Sequence, residues 1–309
     1  MSVHPQAVEV DVTECQSDLS PPPATAPTGI PWWGLAAALG IAAAFGYLYA
    51  PVIAYLVNAW SNDPNAAHGF IIPLVSAYLL WSRREQLAQL QPRTQGWGLA
   101  VLCLGLVQLF VGHVGAELFF MRTSMLVVLT GIVWFLLGTA MLRTTAFPIA
   151  FLLFMIPLPA IVLNLLAFPL QLMAAKWSTF ALQWLDLPVY REGNMIFLPR
   201  LSLEIVEACS GLRSLMALVA LAVIWAYLGQ PTIFKRVILV LLAIPIALVA
   251  NAFRIWTTGV LVHWVSPQVA DGFYHAFAGW LVFVVAWILL SFAGVVLSRL
   301  GRRPPQAQE

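Results

Sequence analysis

Long apolar runs separated by short polar breaks cover the chain from residue 32 to residue 297. A crossing helix needs about 20 mostly apolar residues. On that criterion the pattern predicts eight spans: 32–57, 68–81, 97–115, 119–142, a fifth from 147 onward, 209–228, 237–262 and 275–297. The second is short and needs either extension back over Asn65 or a locally thin bilayer. The fifth contains Ile156-Pro-Leu-Pro159 and is expected to kink or break, because each proline removes a backbone donor and clashes with the preceding turn. Residues 171–187 mix Lys176, Trp177, Trp184 and Asp186 with apolar positions, the pattern of a helix lying in the interface plane. Residues 188–206 switch to an alternating period about Gly193-Asn194, which predicts a β-hairpin in one longer loop. The polar, Pro-rich residues 1–30 read as a disordered tail with no cleavable leader. The expected fold is therefore all-α and polytopic, with one transmembrane domain at 31–298 between that tail and a short basic tail at 299–309.

Composition agrees with the pattern. Of 309 residues 61% are hydrophobic and 9% charged, against about 25% charged in a soluble domain, so the soluble classes are excluded. A net charge of +2 gives no reason to expect a nucleic-acid partner. Three cysteines at 15, 103 and 209 contain no CxxC pair, which provides neither a zinc cage nor a disulfide framework; no metal and no cofactor are expected. Cys103, inside the third span, reads as a small buried hydrophobe. Counting alternate span ends places Arg83, Arg84, Arg93, Arg143, Lys235, Arg236, Arg299, Arg302 and Arg303 on one side together with both termini. The positive-inside rule makes that side the cytoplasm.

Three chemically capable residues then share the outer side. Cys209 opens the sixth span, His275 opens the eighth, and Arg254 lies deep in the seventh within Val249-Ala-Asn-Ala-Phe-Arg-Ile255. A thiolate is favoured at a helix N-terminus and beside cations. An arginine inside an apolar helix is expensive unless it faces the bundle interior or a wet cavity. Asn251 falls on the same helical face as Arg254. Arg213, one turn after Cys209, either binds substrate or latches onto Glu207 or Glu204. His68, in Ala67-His-Gly-Phe70, stands at the same outer side. His113 and His263 read as interfacial polar groups, and the many Trp and Tyr residues as interfacial belts. Residues 188–206 are a candidate for holding an extended peptide by strand addition.

Several ordered motifs carry a resemblance. Glu207-Ala-Cys-Ser-Gly-Leu-Arg213, Ala250-Asn-Ala-Phe-Arg254 and the histidine at the start of the last span resemble the signature of the exosortase and archaeosortase family. His68-Gly-Phe-Ile-Ile-Pro73, Tyr78-Leu-Leu-Trp81 and Arg191-Glu-Gly-Asn-Met-Ile-Phe-Leu-Pro199 fit the same family. The resemblance implies an inner-membrane bacterial cysteine protease or transpeptidase of about eight helices, with its site on the periplasmic side. Its partners would be membrane lipid and exported proteins ending in a motif such as Pro-Glu-Pro, a helix and a basic cluster, with a separate accessory protein of exopolysaccharide assembly. It makes Cys209 the nucleophile, Arg254 the essential arginine and His275 the third member. Archaeal relatives commonly hold arginine at that third position, which leaves the division of labour between Arg254 and His275 open. Two other classes share the many spans and the polar outer loop: a polysaccharide polymerase or exporter, and a non-catalytic scaffold for envelope assembly.

Overall fold

Polar breaks decide where the helices end, and in several places they do not fall where the sequence pattern puts them. The structure, a computed structural model, describes residues 32–199, 201–205, 212–266 and 272–300; for Glu204 and residues 272–276 it describes the backbone alone. The order is α1 (Trp32–Asn62), a 3-10 turn (Ala67–Phe70), α2 (Ile71–Ser82), α3 (Arg84–Gln89), α4 (Gly96–Val114) and α5 (Leu118–Phe151). A 3-10 turn (Leu152–Met155), α6 (Ala160–Gln183) and strands β1 (Tyr190–Glu192), β2 (Met195–Phe197) and β3 (Ser202–Glu204) follow, then α7 (Leu212–Gly229), α8 (Ile233–Trp264) and α9 (Gly272–Arg299). Among the described residues seven helices are long and apolar enough to cross a membrane, and the stretch Ala67–Ser82 adds a shorter apolar helix. The chain is a multi-pass membrane protein. It divides into two compact units at Ala50 and Pro51, and every contact described below lies within the second.

The expected fourth and fifth spans are one element. The polar break at Arg143-Thr-Thr stays helical because Thr144 Oγ1 donates to the Ala140 carbonyl and Thr145 Oγ1 to that of Met141, so the hydroxyls are satisfied inside the helix. α5 departs from helical geometry at Gly138, with φ 86° and ψ 179°. The loop before α4 takes up carbonyls freed there: Arg93 N–H donates to Leu137 O and Gln95 N–H to Phe135 O. Any side chain at 138 would strike the Arg93 carbonyl. The break expected at Ile156-Pro-Leu-Pro159 is present, between the 3-10 turn and α6.

The helix expected in the interface plane at 171–187 is the second half of α6, which begins eleven residues earlier because 160–170 are apolar but for Asn164, and because Pro159, with φ −57°, starts it. Its buried face carries Gln171, Ala174, Ala175, Ser178, Thr179 and Leu182, while Lys176 and Trp177 point outward. Cys103 is exposed on α4 rather than buried, since α4 packs through its glycines. Gly98, Gly105 and Gly112 lie against Phe135, Val128 and Met121 of α5 so closely that a β-carbon would meet backbone atoms at 3.0 Å or less. Small residues at such seams let helix backbones approach in the absence of a hydrophobic driving force.

The predicted hairpin forms and gains a strand. β1 pairs with β2 about Gly193, and β3 adds to the other edge of β2, all antiparallel, with Tyr190 opposite Phe197 and Ile196 opposite both Arg191 and Leu203. Gly193 has φ +59°, the left-handed conformation a tight turn asks of glycine. Ile196 and Ile205 are buried in one cluster with Leu182 of α6 and Leu248 and Ile255 of α8, which seats the sheet beside the second half of α8.

Candidate active site

On α8 one stripe, Leu239, Ala243, Ala247 and Ala250, packs against Leu218, Ala222 and Ala226 of α7 and Ala286 and Leu290 of α9. Spacings of three and four residues keep these positions on one face. The next residue on that stripe is Arg254, which leaves the side chain buried at 8% exposure. Its guanidinium faces α9, where a β-carbon placed on Gly279 would lie 3.4 Å from Nη1. Gly279 is four residues after His275 in the same helix, hence one turn away on the same face. The α8 backbone around Arg254 is held from two sides. Thr258 Oγ1 donates to the Arg254 carbonyl at 3.0 Å, and Ser178 Oγ of α6 donates to the Ala252 carbonyl at 2.9 Å. Asn251, one turn before Arg254, is buried at 4% exposure.

The other sequence candidates fall as follows. Cys209 and Glu207 lie outside the described residues, in the six-residue stretch between Ile205 and α7. His275 lies in the first turn of α9, described by backbone alone. Arg213 is exposed as the second residue of α7. α8 and α9, which carry Arg254 and His275, share one core with α7.

His68 lies in a pocket lined by Asp63, Asn65, Phe154, Pro157, Leu163 and Met216 among others. Its imidazole lies near the backbone of Phe154 and Asn65. The turn that carries it is tight: the Trp60 indole packs on Gly69, where a β-carbon would collide with it, and Trp60 Nε1 donates to the Met155 carbonyl at 2.8 Å. Met216 of α7 is the one lining residue from the helix that follows Cys209.

Sequence reasoning passed over Gly279 and Asp63. Gly279 had a signal, a small residue one turn from His275, but its meaning depends on what α8 places opposite. Asp63 reads as a loop residue until the 3-10 turn folds His68 back toward it.

A family model described as transmembrane exosortase matches residues 60–292. No curated protein and no solved structure matches the chain.

Proposed function

Since this chain belongs to the transmembrane exosortase family, we propose that it is a membrane cysteine protease or transpeptidase acting on the C-terminal sorting signals of exported proteins. The observation that carries this reading is the burial of Arg254 in an apolar helix with its guanidinium against Gly279, one turn from His275. Burying a guanidinium among alanines is costly, and the cost is understandable where a negative charge develops during reaction.

In this reading the substrate's own helix enters from the bilayer and its motif reaches the end of the bundle formed by the start of α7, the later half of α8 and the start of α9. The Cys209 thiolate attacks the scissile carbonyl. A C–S bond forms, the carbonyl oxygen carries the charge of the tetrahedral intermediate, and Arg254 stabilises that charge. The C–N bond then breaks, the leaving amine takes a proton, and a thioester remains on Cys209. His275 supplies the proton or acts as a second cation, the division the sequence left open. Water or an amine, hydroxyl or lipid acceptor attacks the thioester and frees the thiolate. The site belongs on the periplasmic side of the inner membrane, opposite the end where the basic residues gather.

The test is co-expression of a substrate bearing motif, helix and basic cluster with Cys209→Ala, Arg254→Ala and His275→Ala variants, with cleavage followed on a gel. Cys209→Ala and Arg254→Ala are expected to abolish processing while membrane insertion persists, and His275→Ala to slow or abolish it. Full processing by Cys209→Ala would overturn the reading and return the chain to the transporter or scaffold classes.

A further inference from the structure

At the end of the bundle away from Arg254, two cations converge on one aromatic ring. The Arg83 guanidinium carbon lies 5.2 Å from the Tyr227 ring centroid and that of Arg236 lies 5.6 Å from it. Phe147 stacks flat on the same ring, centroids 3.4 Å apart and planes within 2°. Phe147 and the two guanidinium groups thus crowd one ring. The two arginines come from the end of α2 and the start of α8, so four elements meet at Tyr227.

Each arginine uses little of its donor capacity on the protein. Arg83 Nη1 donates to the Thr144 carbonyl at 3.0 Å, and Arg236 Nε to the Gln230 carbonyl at 3.0 Å. A guanidinium has five N–H donors. Among the described residues neither has a carboxylate partner; the ion pair described at this end is Arg84 with Glu85. Two half-buried cations held together without an acid make a site of strong positive potential, suited in shape to the bidentate capture of phosphate oxygens.

What lies next to them is apolar. A groove runs from Arg236 and Tyr227 between α7 and α8, lined by Val223, Ile233, Val237, Val240 and Leu241. Ile233, Val237 and Leu241 recur every four residues and are 73%, 50% and 57% exposed. They form an uncovered apolar track about 12 Å long at 1.5 Å per residue, leading away from the cations along a membrane-crossing helix. A soluble anion would use the arginines and leave the track bare. A lipid uses both.

We infer that Arg83, Arg236 and Tyr227 form a headgroup site for an anionic phospholipid whose acyl chain lies along Ile233, Val237 and Leu241. The lipid would brace the ends of α2, α5, α7 and α8 at the membrane face opposite the proposed catalytic end. The inference is independent of the enzymatic reading, since it uses none of the residues placed in that chemistry.

Native mass spectrometry of the full-length protein in detergent, titrated with phosphatidylglycerol or phosphatidylcholine of matched acyl chains, tests it. The wild type is expected to retain phosphatidylglycerol in preference, and each of Arg83→Gln and Arg236→Gln to weaken that retention roughly fivefold, the worth of one basic residue at an anionic surface. Arg84→Gln, at the same end but ion-paired and exposed, is expected to leave the preference unchanged. Leu241→Trp fills the track at an exposed position, so it reads out the acyl contact even where an arginine variant fails to fold; it is expected to lower retention of phosphatidylglycerol. Equal retention of the two lipids by the wild type would overturn the inference, as would an undiminished preference in folded Arg83→Gln/Arg236→Gln. So would displacement of the lipid by inorganic phosphate with no effect of Leu241→Trp, which would describe a free-anion site.

Discussion

The Arg254 guanidinium lies against residue 279, where glycine leaves it room. A β-carbon there would sit 3.4 Å from Nη1, which is ordinary van der Waals contact, whereas a longer side chain would occupy the volume of the guanidinium. Gly279→Ala is therefore expected to keep most processing activity, and Gly279→Leu to lose it much as Arg254→Ala does, with protein level and membrane insertion retained in both. Cleavage of a co-expressed tailed substrate, set beside the amount of protein in the membrane, makes the comparison. Equal activity in Gly279→Leu and wild type would detach Arg254 from the chemistry. The same reasoning explains why Gly69 follows His68: the Trp60 indole fills the space a side chain would need, so the turn carrying His68 closes against α1 residues 51–62.

Between elements, the strongest demand for small residues is on the α4–α5 hairpin. At Gly105 a β-carbon would lie 2.6 Å from Val128 Cγ2 and 2.8 Å from Val128 N, and at Gly98 it would lie 2.2 Å from Phe135 N. Backbone cannot rotate aside as a side-chain tip can. Gly105→Leu is expected to splay the hairpin and destabilise the protein by about 1–3 kcal/mol, the usual penalty of overpacking. Gly96→Leu, at a position with nothing within 4 Å, is expected to be neutral. Thermal unfolding in detergent distinguishes them, and equal midpoints would show that the seam is looser than this packing. The sheet follows a different logic. Strands of three residues are too short to stand alone, and they are held because Ile196 and Ile205 enter the core made by α6 and α8. β1 stays exposed at one edge of the sheet.

Across the whole molecule, charge is sorted. Arg83 bonds the Thr144 carbonyl next to Arg143, Arg83 and Arg236 share Tyr227, and Lys235 Nζ donates to the Leu300 carbonyl beside Arg299. The basic ends of α2, α8 and α9, and the Arg143 stretch of α5, thus meet at one end of the bundle. By the positive-inside rule that end is expected in the cytoplasm and the sheet, with the later half of α8, on the opposite side. In a background free of native cysteines, Glu192→Cys is expected to react with a membrane-impermeant maleimide added to spheroplasts. Glu85→Cys is expected to react only after lysis. The reverse pattern would invert the topology and place the proposed chemistry in the cytoplasm.

The sequence by itself determined the membrane class, the number of apolar crossings to within one, the hairpin at Gly193 and the break at Ile156-Pro-Leu-Pro159. Each follows from local physics: runs of apolar residues must leave water, an alternating period suits a strand, and proline removes a backbone donor. It also singled out Arg254, because a charge in an apolar helix announces its own cost. Tertiary structure decided the rest. Whether Arg143-Thr-Thr ended a helix depended on hydroxyls turning back onto carbonyls, and the bend at Gly138 depended on a loop forty residues away supplying donors to α5. Cys103 proved exposed because the glycines of α4, not its larger residues, face α5. The neighbourhood of Arg254 at Gly279, and the convergence of Arg83 and Arg236 on Tyr227, involve residues brought together only when helices pack. No period along the chain encodes such meetings, because they depend on which faces of separate helices are turned toward one another.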